Sequence, residues 1–163
     1  MTKLSDHFTL EELTFSNTAK KYALNNEPDE KEVEALTQLC LNVLEPIRAV
    51  VRELTGQKLV CKVNSGYRGR ALNAAVNGSS SSQHCKGEAC DFEMPGIDNL
   101  ELAKIIENSN IPFDQLILEF YTMGEPSSGW IHVSHKASGE QRGQVLTAAR
   151  INGKTVYSNG LPD

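Results

Sequence analysis

In SSSSQHCKGEACDF, residues 79–92, a histidine (His84) and an aspartate (Asp91) flank a glycine, and a further histidine, His132, sits in WIHVS. Two imidazoles and one carboxylate are donors that suit a catalytic zinc, which takes three protein ligands and leaves a fourth position for water. Such a metal lowers the pKa of its water to about 7 and polarises a carbonyl. Hydrolysis then needs a general base near that water and a cation or donor for the oxyanion. Glu119, in QLILEFY, is the candidate base. Arg68, in the loop SGYRGR, is the candidate for the oxyanion or for a bidentate grip on a substrate carboxylate. Cys85 and Cys90 lie in the same stretch and are soft ligands that zinc would accept. Cys90 falls in an apolar alternation and reads as a small buried hydrophobe; Cys85 is left open.

Strand periodicity has to bring these groups together, because alternate residues of a strand point to opposite faces. In residues 89–94, Cys90, Phe92 and Met94 form the apolar set, so Asp91 points away from the core. In residues 115–121 the apolar set is Leu116, Leu118 and Phe120, which turns Glu119 outward. In residues 130–134, Ile131 and Val133 face inward and His132 outward. Three strands thus place an ionisable residue on the face opposite the core. A simple hairpin with Tyr121 opposite Trp130 would set Glu119 directly across from His132, with Cβ atoms about 4.5–5.5 Å apart. His135 would point to the other face if its strand continued, and would line the cleft only if the strand ended at Ser134.

The remaining elements form a scaffold. Thr9-Leu10-Glu11-Glu12 has the form of a capping box and starts a short helix. Residues 30–54 carry a helical apolar stripe that ends at Gly56, with Pro46 imposing a kink or a rearranged turn. Residues 59–64 read as a strand, Leu72–Val76 and Leu100–Glu107 as helices, and Asn152-Gly153 as a hairpin turn between two further strands. Helices first and strands later point to an α+β fold with a mainly antiparallel sheet.

At 163 residues the chain is expected to be one domain, with residues 1–28 as its N-terminal helical extension. No apolar run approaches the roughly 18 residues of a membrane span. The N-terminus has no long apolar core, so synthesis in the cytoplasm without a classical signal peptide is expected. A net charge of −5 argues against a general nucleic-acid binder. The four cysteines show no CxxC spacing and are expected to be free thiols.

The elements VNSGYR (residues 63–68), LN (72–73), SQHCKGEACD (82–91) and WIHVS (130–134) stand in the order of a known pattern. In this the chain resembles the zinc D-Ala-D-Ala carboxypeptidase family, related in fold to the hedgehog signalling domain. FTLEELTFSNTA and FDQLILEF also resemble a phage and prophage subgroup of cell-wall peptidases. The resemblance implies a hedgehog/DD-peptidase-like fold, with N-terminal helices packed on the sheet. It makes His84, Asp91 and His132 ligands of Zn²⁺, sets Arg68 on the substrate or oxyanion, and has Ser82 hydrogen-bond near the site. Tyr67 and Trp130, inside its motifs, are further candidate substrate contacts. Many members carry the catalytic carboxylate three residues before the last histidine, where this chain has Gly129. Glu119 is the replacement expected on geometry, and Glu125 in the following loop its rival.

The implied activity is zinc-dependent hydrolysis of a peptide bond in bacterial peptidoglycan, of the D-Ala-D-Ala or L-Ala–D-Glu type. The expected partner is a stem peptide and the expected state a monomer. An endolysin or wall-remodelling enzyme would act at the wall, in the periplasm or delivered by a virion. The alternative is a catalytically inactive zinc-binding domain that recognises the wall.

Overall fold

The computed structural model describes residues 1–163. Thr9 caps α1 (Leu10–Thr14): its Oγ1 accepts from the Glu12 N–H at 3.3 Å, and Glu12 accepts from the Thr9 N–H at 3.0 Å. A second short helix, α2 (Asn17–Lys21), follows at once, capped by Ser16. Asp29 and Glu32 form another reciprocal cap at the start of α3 (Glu30–Leu39). This helix runs through one wider π turn, Cys40–Leu44, into α4 (Glu45–Thr55). The π turn answers Pro46. Proline lacks an N–H and its ring collides with the carbonyl four residues back, and widening the turn absorbs both defects. The Glu45 N–H accordingly reaches five residues back, to the Cys40 carbonyl. Leu36, Leu39, Val43, Leu44, Ile47 and Val51 are fully buried along one stripe of this long helix. Gly56, left-handed at φ 72°, closes it.

The sheet has six strands in the order β1-β2-β4-β3-β5-β6. They are β1 (Lys62–Ser65), β2 (Ala89–Glu93), β3 (Gln115–Glu119), β4 (Trp130–Ser134), β5 (Gln144–Ile151) and β6 (Lys154–Asn159). Every pairing is antiparallel except β3 with β5, which is parallel. Helix α5 (Arg70–Ala75) and a 3₁₀ turn (Gln83–Lys86) lie between β1 and β2, and α6 (Asn99–Glu107) between β2 and β3. One face of the sheet packs Cys90, Phe92, Leu116, Leu118, Ile131 and Val133 into the same core as α3, α4 and α6. Each fully buried Leu, Ile or Phe of this layer contributes about 1.5–3 kcal/mol through apolar burial.

The opposite face carries the ionisable residues, with two differences from expectation. Glu119 pairs with Trp130, and Ile117 with His132, so the β3–β4 register lies two residues from the assumed one. A shift of two keeps every side chain on its face, and Glu119 becomes the diagonal neighbour of His132. Phe120 does not join the core. It adopts φ 57° immediately after β3, which turns its ring out of the alternation and against Trp130, with ring centroids 5.3 Å apart. A left-handed aromatic residue is a costly conformation, held here by the Phe120 N–H donating to the Ala148 carbonyl at 2.9 Å. The strand expected over 59–64 also begins later, at Lys62.

Candidate metal centre

His84 enters the site from the 3₁₀ turn. Ser82 caps the turn, its Oγ accepting from the His84 N–H at 3.2 Å. Gly87 ends it at φ 71°, packed so closely on the Glu32 carbonyl that a Cβ there would collide. The His84 carbonyl accepts from the Arg68 N–H at 3.0 Å, which joins the turn to the loop after β1. Asp91 projects from β2 and His132 from β4, directly opposite each other in the ladder. The three side chains converge, with ligand atoms all within 4.8 Å of one another.

The hydrogen bonding of this cluster calls for a cation. His84 Nδ1 lies 2.7 Å from the Gly66 carbonyl oxygen, which can only accept, so Nδ1 carries the proton. In the neutral ring Nε2 is then a bare lone pair, and it lies 3.3 Å from Asp91 Oδ1, another acceptor. Two acceptors so placed require a positive charge between them, either a second proton on the ring or a metal ion. Zinc bonds of about 2.0–2.2 Å in a tetrahedron imply ligand separations near 3.3 Å. His132 Nδ1 lies 2.9 Å from the same oxygen. Burial pushes the Asp91 carboxyl up, but the charge of His84 and the hydrogen bonds from both histidines outweigh it and hold Asp91 well below the usual carboxylate range. The donor set fits Zn²⁺: one ionised carboxylate, one imidazole whose tautomer is fixed by a backbone carbonyl, and a second imidazole opposite.

The cluster lines a cleft of about 870 Å³. Glu119 and Arg68 line the same cleft. Burial, then the charge of Asp91, raises the Glu119 carboxyl above its ordinary value. Arg68 Nη1 donates to Asn73 Oδ1 at 3.2 Å, while its buried Nε has no partner. Trp130 forms part of the wall; its buried indole N–H makes no close hydrogen bond, and the carboxylate it acts on is that of its cross-strand partner Glu119. Tyr67 borders the cleft, but its hydroxyl is directed to Glu32 at 3.2 Å. Burial is the main cause that pushes that phenol up to about 12. Glu125 lies exposed in the β3–β4 turn, outside the cleft lining. Cys85 is half-buried outside the lining, and Cys90 is core. His135 follows the end of β4, buried and also outside the lining.

Gly129 has a backbone explanation. Its φ of 64° favours glycine, and a Cβ there would overlap the Glu119 carbonyl and the following peptide. No acidic side chain fits this position. Sequence reasoning passed over three neighbours of the site. Gln83 and Arg142 both bind the buried Asp114, and Tyr157 lines the cleft from β6.

No curated protein matches the chain. The profile of the family described as Peptidase M15 matches residues 6–134, a segment that begins before α1, contains His84, Asp91 and Glu119, and ends with β4 just past His132. M15 peptidases are zinc-dependent, the His84, Asp91 and His132 cluster has the donors such an enzyme needs, and the chain belongs to the Peptidase M15 family.

Proposed function

We propose that the chain is a single-domain, monomeric zinc peptidase that hydrolyses a peptide bond in the stem peptide of bacterial peptidoglycan. The bond is of the D-Ala-D-Ala or L-Ala–D-Glu type, and the setting is a phage- or prophage-type endolysin or wall-remodelling enzyme acting at the wall. The observation that carries this reading is the placement of Glu119. It shares one cleft with the His84, Asp91 and His132 donors, and its carboxyl is raised by burial and by Asp91.

In this reading His84, Asp91 and His132 hold Zn²⁺, which supplies a Lewis acid for the scissile carbonyl and lowers the pKa of water to about 7. Glu119 takes the proton from water as its oxygen adds to the carbonyl carbon, then gives that proton to the leaving amine as the C–N bond breaks. A raised carboxyl suits both halves of this shuttle, since it binds the proton well enough to hold it between steps. Arg68 faces the oxyanion or a substrate carboxylate with the donors it does not spend on Asn73. Trp130 offers a ring wall to the peptide, and its indole N–H acts on the Glu119 carboxylate. Ser82 and Tyr67 act indirectly, because their hydroxyls serve the His84 turn and Glu32.

A non-catalytic wall-binding domain draws its support from the glycine at position 129. The conformation of Gly129 gives that residue a backbone reason, so the missing carboxylate is not in itself an argument for the non-catalytic domain. The test is mass spectrometry of purified muropeptides digested with the zinc-loaded protein. New fragments that depend on zinc and identify one stem-peptide bond are expected. Retention of the protein on cell wall with no fragment formed would favour the non-catalytic domain.

A further inference from the structure

The M15 match ends at residue 134, yet the cleft does not. The β5–β6 hairpin continues its wall, and the parallel pairing of β5 beside β3 decides which residues face in. Glu119 pairs with Ala148, and Ala148 with Tyr157. Trp130, Glu119, Ala148 and Tyr157 therefore form one cross-strand row on the cleft side of β4, β3, β5 and β6. Strands lie about 4.8 Å apart, so Tyr157 starts about 10 Å from the Glu119 backbone with only a methyl group between them. Both side chains rise from the same face of the sheet, on either side of Ala148.

Tyr157 lines the cleft and is half exposed, at 55%. Its hydroxyl makes no hydrogen bond within the chain, whereas Tyr67 and Tyr121 spend theirs on Glu32 and Asp98. The phenol is a neutral O–H donor at neutral pH, and burial, then the charges of Glu119 and Asp91, pushes it further up. A free donor and an aromatic face thus line the cleft that holds the cluster, from an element outside the M15-matched segment.

We infer that Tyr157 is a substrate-contacting residue, its ring closing the cleft wall beyond Glu119 and its O–H donating to an acceptor of the bound peptide. This inference rests on the peptidase reading, and the β5–β6 hairpin becomes the part of the chain that tunes which peptide is held. The alternative is an ordinary edge-strand tyrosine with no contact to substrate.

Steady-state kinetics on muropeptides with Tyr157→Phe and Tyr157→Ala separate the two. Loss of one net hydrogen bond lowers kcat/KM about 10-fold in Tyr157→Phe, and loss of ring and hydroxyl about 100-fold in Tyr157→Ala. Zinc content and Tm stay at the wild-type values. Trp130 is the chain's single tryptophan and sits in the cleft, so its fluorescence reports peptide binding without turnover. In zinc-loaded Glu119→Gln, adding Tyr157→Ala is expected to raise the muropeptide Kd at least about 10-fold. Wild-type kcat/KM in both variants together with an unchanged Kd would overturn the inference. So would a loss matched by an equal loss of zinc or a fall in Tm, which would assign Tyr157 to folding. A wild-type protein that binds muropeptide but cleaves nothing would defeat the peptidase reading, and the Kd comparison would still decide Tyr157.

Discussion

Asp91 and Asp114 are both buried acids beside the same cleft, and they are satisfied in opposite ways. Asp114 is fully buried and holds Arg142 three times: Nε at 3.1 Å, Nη2 at 2.8 Å and the backbone N–H at 3.0 Å. Gln83 adds a bond at 3.1 Å, and the Lys136 ammonium lies 3.7 Å away. Burial pushes its carboxyl up, but the Arg142 contacts prevail and bring it down to about 2. Asp91 has no such permanent cation. Its neighbours are two imidazoles directed at one oxygen, and they complete its coordination only when a proton or a metal is present. Permanent partners suit a structural carboxylate, and conditional partners suit the ligand role proposed for Asp91. The two are linked, because Asp114 holds Gln83, the residue before His84, and so steadies the turn that presents His84 to the cluster.

The contrast can be broken from the Asp91 side first. Asp91→Asn or His132→Ala should abolish stoichiometric zinc and lower turnover at least about 10³-fold, since the metal supplies several kcal/mol of transition-state stabilisation. Metal analysis and muropeptide turnover on the same samples check this. Glu119→Gln should keep its zinc and lose about 10²–10⁴-fold in kcat, the range for a general base. Asp114→Asn should do the reverse of Asp91→Asn. It retains zinc but loses about 3 kcal/mol of stability, because Arg142 and Gln83 lose an ionised buried partner, and denaturant unfolding measures that loss.

Acid sharpens the same difference. The folded Asp114 carboxyl sits near 2, below its unfolded value of about 3.9, so the unfolded chain takes up that proton first. Its contribution to stability is complete above about pH 4 and is lost as the pH falls towards 2. In Asp114→Asn that part of the acid slope should vanish from unfolding curves measured over this range. Arg142→Lys is the mildest probe. It keeps the charge but loses the two-pronged grip, and should cost about 1 kcal/mol with zinc unaffected.

Much of the ligand face was legible because a period of two is robust. Asp91, His132 and Glu119 fell on the outer face from apolar alternation alone, and a register two residues off left that face intact. Phe120 broke the pattern because a left-handed backbone ends the alternation, and its neighbours give no warning of it. The Thr9 cap, the irregular turn before Pro46 and the Asn152-Gly153 hairpin were readable from local chemistry. The Asp114–Arg142 pair and the approach of Tyr157 were not. Both depend on β5 lying parallel beside β3, a long-range pairing that no short stretch encodes. The short helix α2 and the 3₁₀ turn were also missed, being too brief to show a period.

In the proposed reading three residues hold zinc and a fourth, Glu119, turns the holder into an enzyme. Muropeptide turnover by zinc-loaded wild-type protein and by zinc-loaded Glu119→Gln, with the metal content of each sample verified, tests it most directly. The expected result is one zinc per chain in both proteins and zinc-dependent cleavage by the wild type alone. Full activity in Glu119→Gln, or one zinc per chain with no cleavage by the wild type, would contradict it.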